Sequence, residues 1–302
     1  MNQTIVVVGS LNMDMVISAK RMPKLGETIL GESIYYLPGG KGANQAVGIA
    51  KLGGDVKMVG AVGEDSFSDA ILDQLHHYKV DTEHIERIPN AATGVASIFH
   101  TESDNCITVI PGANYSFTSN RITKRIEQII AQAKVLLVQL EIPLETVQYV
   151  LSIAKQHGVK TILNPAPAQH LTPQLLALAD YITPNETELE VLLGFQIASE
   201  QELEKAMKDW QEKYNNTLIV TLGEKGSAYL DNKSIKIIPS EKVKVVDTTG
   251  AGDSFNAALA FGIASDWPLD QAVSFAVKAS GQSVTKFGAQ EGMPYYEEVS
   301  AD

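Results

Sequence analysis

The sequence predicts an α/β fold: a mostly parallel central sheet flanked by helices, with a second, small β-sheet set apart from it. Three observations carry this prediction. From Val135 onward, short apolar runs alternate with helical stretches, and strands separated by helices pair in parallel. Near the start of the chain, Ile5 to Val8 is a β-branched run ending at Gly9, the pattern of a short buried strand. Two further stretches, about 14–38 and 93–110, alternate polar and apolar residues as antiparallel strands with one wetted face do.

Taken in order, the first strand ends at Gly9-Ser10, which leaves Asn12 and Asp14 at a sheet edge. Asp14 to Leu37 turns through Pro23, Gly26 and Gly31 and reads as short strands and loops. Gly42 to about Leu52 predicts a helix, Val56 to Val62 a strand, and Asp65 to about Tyr78 a second helix. The regular half supplies strands at Val135 to Val138, Thr161 to Leu163, Tyr181 to Thr183 and Thr217 to Thr221. Its helices fall near Leu144 to His157, near Pro173 to Leu178, from about Glu186, and from Ser199 to Lys213. Ligands of such sheets bind beyond the C-terminal ends of the strands. Neither an internal repeat nor a Pro- or Ser-rich linker divides the chain, so residues 1–302 are expected to form a single domain.

Composition narrows the function. A formal net charge of -12 argues against a partner such as nucleic acid, which needs a basic face. It does not forbid an anionic ligand, because backbone N–H groups and one lysine hold phosphate locally. Cys106 is the only cysteine, which excludes an intramolecular disulfide and a multi-cysteine zinc site and fits a cytoplasmic protein. The chain begins without the basic and apolar regions of a secretory signal, and no apolar run approaches the ~20 residues that span a bilayer. No membrane association is expected.

The segment richest in chemistry is Asp247-Thr-Thr-Gly-Ala-Gly-Asp253, a glycine turn feeding an apolar helix. Gly250 and Gly252 let a ligand approach the backbone, and the first-turn N–H groups of Ala251, Gly252 and Asp253 have no intrahelical partner. Such a turn holds a phosphoryl group. Asp253 in that turn can accept a proton from a hydroxyl attacking phosphorus. The plainer alternative is that Asp253 only complements the helix dipole, which is worth about 0.3–1 kcal/mol; the density of glycines and polar groups around it favours function.

Far upstream, Gly39-Gly-Lys-Gly-Ala-Asn44-Gln-Ala46 is a second glycine-rich stretch. It is not a Walker A loop, because no Lys-Ser or Lys-Thr follows the glycines. Nor is it a dinucleotide fingerprint, because Gln45 stands at the third glycine. Together with Asn12 and Asp14, its carboxylate and amide groups suit the vicinal hydroxyls of a polyol.

These two stretches, in this order, resemble the two signatures of the ribokinase-like (PfkB) carbohydrate kinases, and the resemblance extends from Asn12 to Gly292. It implies ATP-dependent phosphoryl transfer to a sugar, with Asp253 as the general base and Gly250, Ala251 and Gly252 as the anion hole. It also implies that Asn12, Asp14, Gly40, Lys41, Gly42, Asn44 and Glu141 bind the sugar alongside Asp253. Without the resemblance, Glu141 would read as a solvated charge. Within the family, this set is most similar to the branch acting on D-ribose, which implies ribose 5-phosphate and ADP as products. Fructose, deoxyribose, ketodeoxygluconate and adenosine remain alternatives, and so does a sugar sensor without activity.

The resemblance assigns Asn185 and Glu188 to the phosphates and their Mg2+, while the same residues read locally as a helix capping box. Thr221, Gly223 and Gly226 would contact the nucleotide together with Gly252; locally they form a hairpin turn. Asp247, Thr249, Ser283, Lys286, Gly288 and Gly292 would surround an activating K+, the last four chiefly through backbone carbonyls. Val277 and Lys278 stand where the family often places an adenine-binding Asn, a departure that touches the adenine contacts alone. The β patches at about 14–38 and 93–110 would form a lid that closes over the sugar and offers an edge for a homodimer.

Overall fold

The computed structural model describes residues 3–101 and 105–300, so residues 102–104 of the second β patch, and 1–2 and 301–302 at the ends of the expected domain, lie outside the described residues. The first half contains strands β1 (Ile5–Val8), β2 (Asn12–Ser18), β3 (Ser33–Gly39), β4 (Val56–Gly63), β5 (Asp81–Ile88), β6 (Gly94–His100) and β7 (Asn105–Ile110). The second half adds β8 (Val135–Val138), β9 (Lys160–Leu163), β10 (Tyr181–Ile182), β11 (Thr217–Thr221), β12 (Ser227–Asp231) and β13 (Ser234–Ile238). Helices α1 (Lys41–Lys51), α2 (Ser66–His77), α3 (Ala113–Ser116), α4 (Lys124–Gln132), α5 (Leu144–Gln156) and α6 (Pro173–Leu176) come first. They are followed by α7 (Glu186–Leu193), α8 (Glu200–Lys213), α9 (Ala251–Ala264), α10 (Leu269–Ser283), α11 (Ala289–Gly292) and α12 (Tyr296–Ser300).

The central sheet has nine strands in the order β13-β12-β11-β10-β9-β8-β1-β4-β5. From β11 through β5 every pairing is parallel, and β12 and β13 extend one edge antiparallel. Successive residues of β1 face opposite sides, so Val6 and Val8 pack under α4 and α5 while Ile5 and Val7 pack under α1, α9 and α10. Helices on both faces make the whole of β1 and β8 inaccessible, which explains their unbroken apolar runs.

The edge strands were not legible in the sequence. Strand β5, Asp-Thr-Glu-His-Ile-Glu-Arg-Ile, is polar because it pairs on one side only, and it carries the ion pair Lys57–Asp81 at 2.5 Å. The β12–β13 hairpin likewise stands at a wetted edge, with Lys236 paired to Asp270 at 2.5 Å.

The small sheet exists as expected, in the order β3-β2-β6-β7, but the two patches meet through a parallel pair. Strand β2 runs antiparallel to β3 and parallel to β6, bringing Asn12 opposite both Gly39 and Gly94. The register places Asp14, Leu37, Ala96 and Val109 on one face, shared with Val16, Tyr35, Ile98 and Ile107.

Helix α1 crosses α9 at a glycine. A Cβ on Gly48 would lie 2.6 Å from the Ala257 Cβ and 3.0 Å from the Met293 sulfur, so any side chain there pushes the helices apart. Gly48→Val is expected to lower the unfolding free energy by about 1–3 kcal/mol, measured by urea denaturation. An unchanged transition would mean that the crossing is not tightly packed.

Candidate active site

The site forms where α1 and α9 begin, beyond the C-terminal ends of β1 and β8. Gly42 lets α1 start directly on the end of β1: a Cβ there would be 2.7 Å from both the Gly9 carbonyl carbon and the Ser10 nitrogen. Gly40 serves as N-cap at φ +91°, a conformation a side chain would strain. The first turn of α1 is then held by Ser10 and Glu141. The Ala43 N–H donates to the Ser10 carbonyl at 2.9 Å, and the Lys41 N–H to Glu141 Oε2 at 3.2 Å. The Ser10 hydroxyl donates to the same carboxylate oxygen at 2.5 Å.

Helix α9 opens without a side-chain cap behind Gly250, which sits at φ +79°. A Cβ on Gly252 would meet nothing within 4 Å, so its turn is open to a ligand. Asp253 is buried beside that turn. Its Oδ2 accepts from Asn44 Nδ2 at 3.0 Å and its Oδ1 from Gln45 Nε2 at 2.9 Å. The two glycine-rich stretches, about two hundred residues apart in the chain, thus meet at one carboxylate.

Asn12 is buried, and its Oδ1 accepts from Asn114 Nδ2 at 2.8 Å. Asn114 also accepts from the Leu11 N–H at 2.9 Å, so it fixes the backbone and the side chain of this edge together. The carboxylate of Asp14 lies against Gly39, where a Cβ would come within 2.3 Å of Oδ2. Burial pushes the Asp14 carboxyl up to about 7, and the negative charges of Glu141 and Asp253 add to that, against the opposing pull of Lys41. Burial pulls the Lys41 ammonium down, but the carboxylates of Asp253, Glu141, Glu188 and Asp14 together hold it above the ordinary lysine value. Burial likewise raises Glu188, with Lys41 working against it. One lysine therefore links acidic groups from four separate segments.

Asn185 and Glu188 do form a capping box: the Asn185 N–H donates to Glu188 Oε2 at 2.9 Å and the Glu188 N–H to Asn185 Oδ1 at 2.7 Å. The same Asn185 bridges to Thr221 in parallel register, which brings the two predicted nucleotide segments side by side. Gly223 and Gly226 shape the turn from β11 into β12, and at Gly226 a Cβ would fall 2.0 Å from the Ile238 carbonyl.

A further cluster joins the turn before α9 to the segment after α10. Asp247 accepts from the Thr249 N–H and the Gly288 N–H, each at 2.9 Å. Gly292 packs against the Ser283 carbonyl, which a Cβ would approach to 2.5 Å. The Lys286 side chain instead pairs with Glu298 at 2.8 Å and leaves the cluster. Val277, where an adenine contact was in question, lies in the core under the sheet.

Sequence reasoning missed Ser10, Gln45, Asn114, Gln139, Asn164 and Gln290. Gln45 lies within a stretch already singled out and was passed over. Ser10, Gln139 and Gln290 likewise stand beside Asn12, Glu141 and Gly288, whereas Asn114 and Asn164 are isolated polar residues that only their burial marks.

The pfkB family carbohydrate kinase model matches residues 2–295. The chain belongs to that family. It is accordingly a phosphotransferase with an alcohol group as acceptor. The kinase is 41% identical to the ribokinase of Lactococcus lactis over 296 residues, covering 98% of this chain and 95% of the relative. It is 42% identical to the ribokinase of Bacillus subtilis over 297 residues, covering 98% of both. Among solved structures, that of Arabidopsis thaliana ribokinase complexed with ribose and ATP superposes with a TM-score of 0.92 at 33% identity, covering 99% of this chain and 98% of the other.

The Asp14 carboxyl predicts a pH dependence. With its value raised from 3.8 to about 7 in the folded kinase, it binds a proton more tightly folded than unfolded between those limits. Its ionisation therefore erodes stability as pH rises through that window, and the loss levels off above it. The unfolding free energy of the wild type minus that of Asp14→Asn, from urea titrations, is expected to fall from about pH 4 to about pH 7. A difference that stays flat or rises would contradict this.

Proposed function

We propose that this kinase transfers the γ-phosphoryl group of ATP to O5 of D-ribose, giving D-ribose 5-phosphate and ADP. The observation that carries the reading is the Asp253 carboxylate, held on both oxygens by Asn44 and Gln45 beside the uncapped start of α9. Asn12, Asp14, Gly40, Lys41, Gly42, Asn44 and Glu141 line the sugar side. Asn44 keeps a second amide hydrogen, and Asp14 and Glu141 offer carboxylate oxygens, a donor and acceptor set suited to vicinal hydroxyls. The high identity to ribokinases favours ribose within this chemistry.

Asp253 takes the proton of the primary hydroxyl as that oxygen attacks the γ-phosphorus in line. The bond from phosphorus to the β,γ-bridging oxygen breaks, and ADP leaves. The N–H groups of the turn Gly250, Ala251, Gly252 form the anion hole in this reading, although that of Ala251, expected to be unpartnered, donates to the Thr248 carbonyl at 3.3 Å; catalysis is positioning plus electrostatics. Lys41, poised among the four carboxylates, offers a cation to the same region. Thr221, Gly223 and Gly226 hold the nucleotide next to Asn185.

Two ions fit the residues present. The partly buried Glu188 carboxylate, raised by desolvation, gains from a divalent cation beside Asn185, and Mg2+ there would neutralise phosphate charge. Asp247, with Thr249 and the carbonyls of Ser283, Lys286, Gly288 and Gly292, supplies an all-oxygen set suited to a hard cation such as K+. Its role would be to fix the turn that carries Gly250.

The small sheet is the lid in this reading, shielding the transfer from water. Its Asp14 face exposes Tyr35, Ile107 and Val109, each about half accessible, which supports a homodimer formed through this sheet. A cytoplasmic location accords with the free, exposed Cys106.

With Mg-ATP and K+, ADP release is expected to depend on ribose far more than on deoxyribose, fructose, ketodeoxygluconate or adenosine. Asp253→Asn is expected to fold with a lowered thermal midpoint, because its NH2 would face the amide donor of Asn44 or Gln45, and to lose about 10²–10⁴-fold in kcat. Near-wild-type turnover would remove Asp253 from the chemistry, and preference for another compound would overturn the sugar assignment alone. Sedimentation at micromolar concentration is expected to give a dimer that Tyr35→Glu dissociates; a wild-type monomer would refute the lid interface.

A further inference from the structure

Two buried side-chain atoms among the described residues have no hydrogen-bond partner: Gln139 Oε1 and Gln290 Oε1. A buried orphan acceptor costs stability, so two of them in one region require a cause. They are the outer ends of two amide chains that converge on Asp253. In the first, Gln139 Nε2 donates to Gln45 Oε1 at 2.6 Å, and Gln45 Nε2 donates to Asp253 Oδ1 at 2.9 Å. In the second, Gln290 Nε2 donates to Asn44 Oδ1 at 3.1 Å, and Asn44 Nδ2 donates to Asp253 Oδ2 at 3.0 Å. Gln45 Nε2 also donates to Asn164 Oδ1 at 3.1 Å.

The direction of both chains follows from one group. An ionised carboxylate only accepts, so Asn44 and Gln45 must turn their NH2 groups toward Asp253. Their oxygens then face away, and only a donor satisfies them; Gln139 and Gln290 must supply it. Turning either glutamine over would set oxygen against oxygen. The outermost oxygens are consequently left without partners, and apolar side chains of the same volume would have avoided that. These four amides, none more than 5% exposed, are arranged for the carboxylate and not for the core.

We propose that Gln139 and Gln290 are positioning residues for phosphoryl transfer: each locks the amide of Gln45 or Asn44, and the two chains together hold the Asp253 carboxylate in one rotamer with its remaining lone pairs toward the acceptor hydroxyl. The proposal rests on the reading of Asp253 as the base. Neither glutamine bonds to Asp253 directly, and the two act through different amides.

The test is steady-state kinetics of Gln139→Met and Gln290→Met, substitutions close in volume, with ribose or whichever sugar of the panel supports turnover. Each is expected to lower kcat by up to about 10²-fold, the scale on which a group misplaced by about 1 Å costs rate, with KM for the sugar little changed. Thermal midpoints should barely move, because each substitution removes one orphan acceptor and creates another. The chains also predict a coupling pattern. In a Gln45→Met background, Gln139→Met should cost nothing more, whereas Gln290→Met should still multiply the loss.

Wild-type kcat in both single variants, a raised KM at unchanged kcat, or a full Gln139→Met effect without Gln45 would each overturn the proposal. If a Met variant fails to fold, the Leu variant carries the same expectation. Asp253→Asn separates the two readings. If it stays active, the base assignment fails; if it is inactive while both glutamine variants keep wild-type kcat, the positioning role alone fails.

Discussion

The close approach of Gly42 to the Gly9-Ser10 turn is the contact on which the site depends. With no side chain between them, α1 begins on the backbone of β1, and its first turn is held by Ser10 and Glu141. That seating, with the tight crossing of Gly48 over Ala257, fixes the position of α1 relative to α9. Asn44 and Gln45 reach Asp253 only because both ends of this arrangement are rigid. A shift of α1 by the width of a methyl group would take its amides out of hydrogen-bonding range of the carboxylate.

Electrostatics then organises the space between the helices. Four carboxylates and one lysine share a partly desolvated cleft, where charges interact more strongly than in water. Burial, reinforced by the neighbouring carboxylates, raises Asp14, while the same carboxylates outweigh burial to raise Lys41, the signature of a site that awaits hydroxyls and phosphate. The net charge of -12 says little here: the anion-binding elements are the bare start of α9 and a single ammonium, and both are local.

Part of this arrangement works against stability. The paired glutamines behind Asp253 leave two buried oxygens unsatisfied, and Asp14 is held against Gly39 at the cost of its desolvation. The surrounding sheet, with β1 and β8 wholly inaccessible between two helical layers, is the reservoir that tolerates these losses.

The strands of the sheet interior and the main helices were legible because their residues carry the burial pattern in their own order: Val135–Val138 and Thr217–Thr221 fall where the apolar runs place them. The two edge strands β5 and β13 were not, since a strand paired on one side only reads as polar loop. The glycine-rich stretches announced themselves for a local reason: a turn that must admit a ligand or another backbone excludes side chains. The sequence by itself thus determined the fold class, the family resemblance and the candidate base, all written in residues close together along the chain. Only the tertiary structure decided which residues hold the amides on Asp253, because Gln139, Asn164 and Gln290 reach Asn44 and Gln45 through packing between distant elements, and a polar side chain carries no trace of that until its burial and its partners are known.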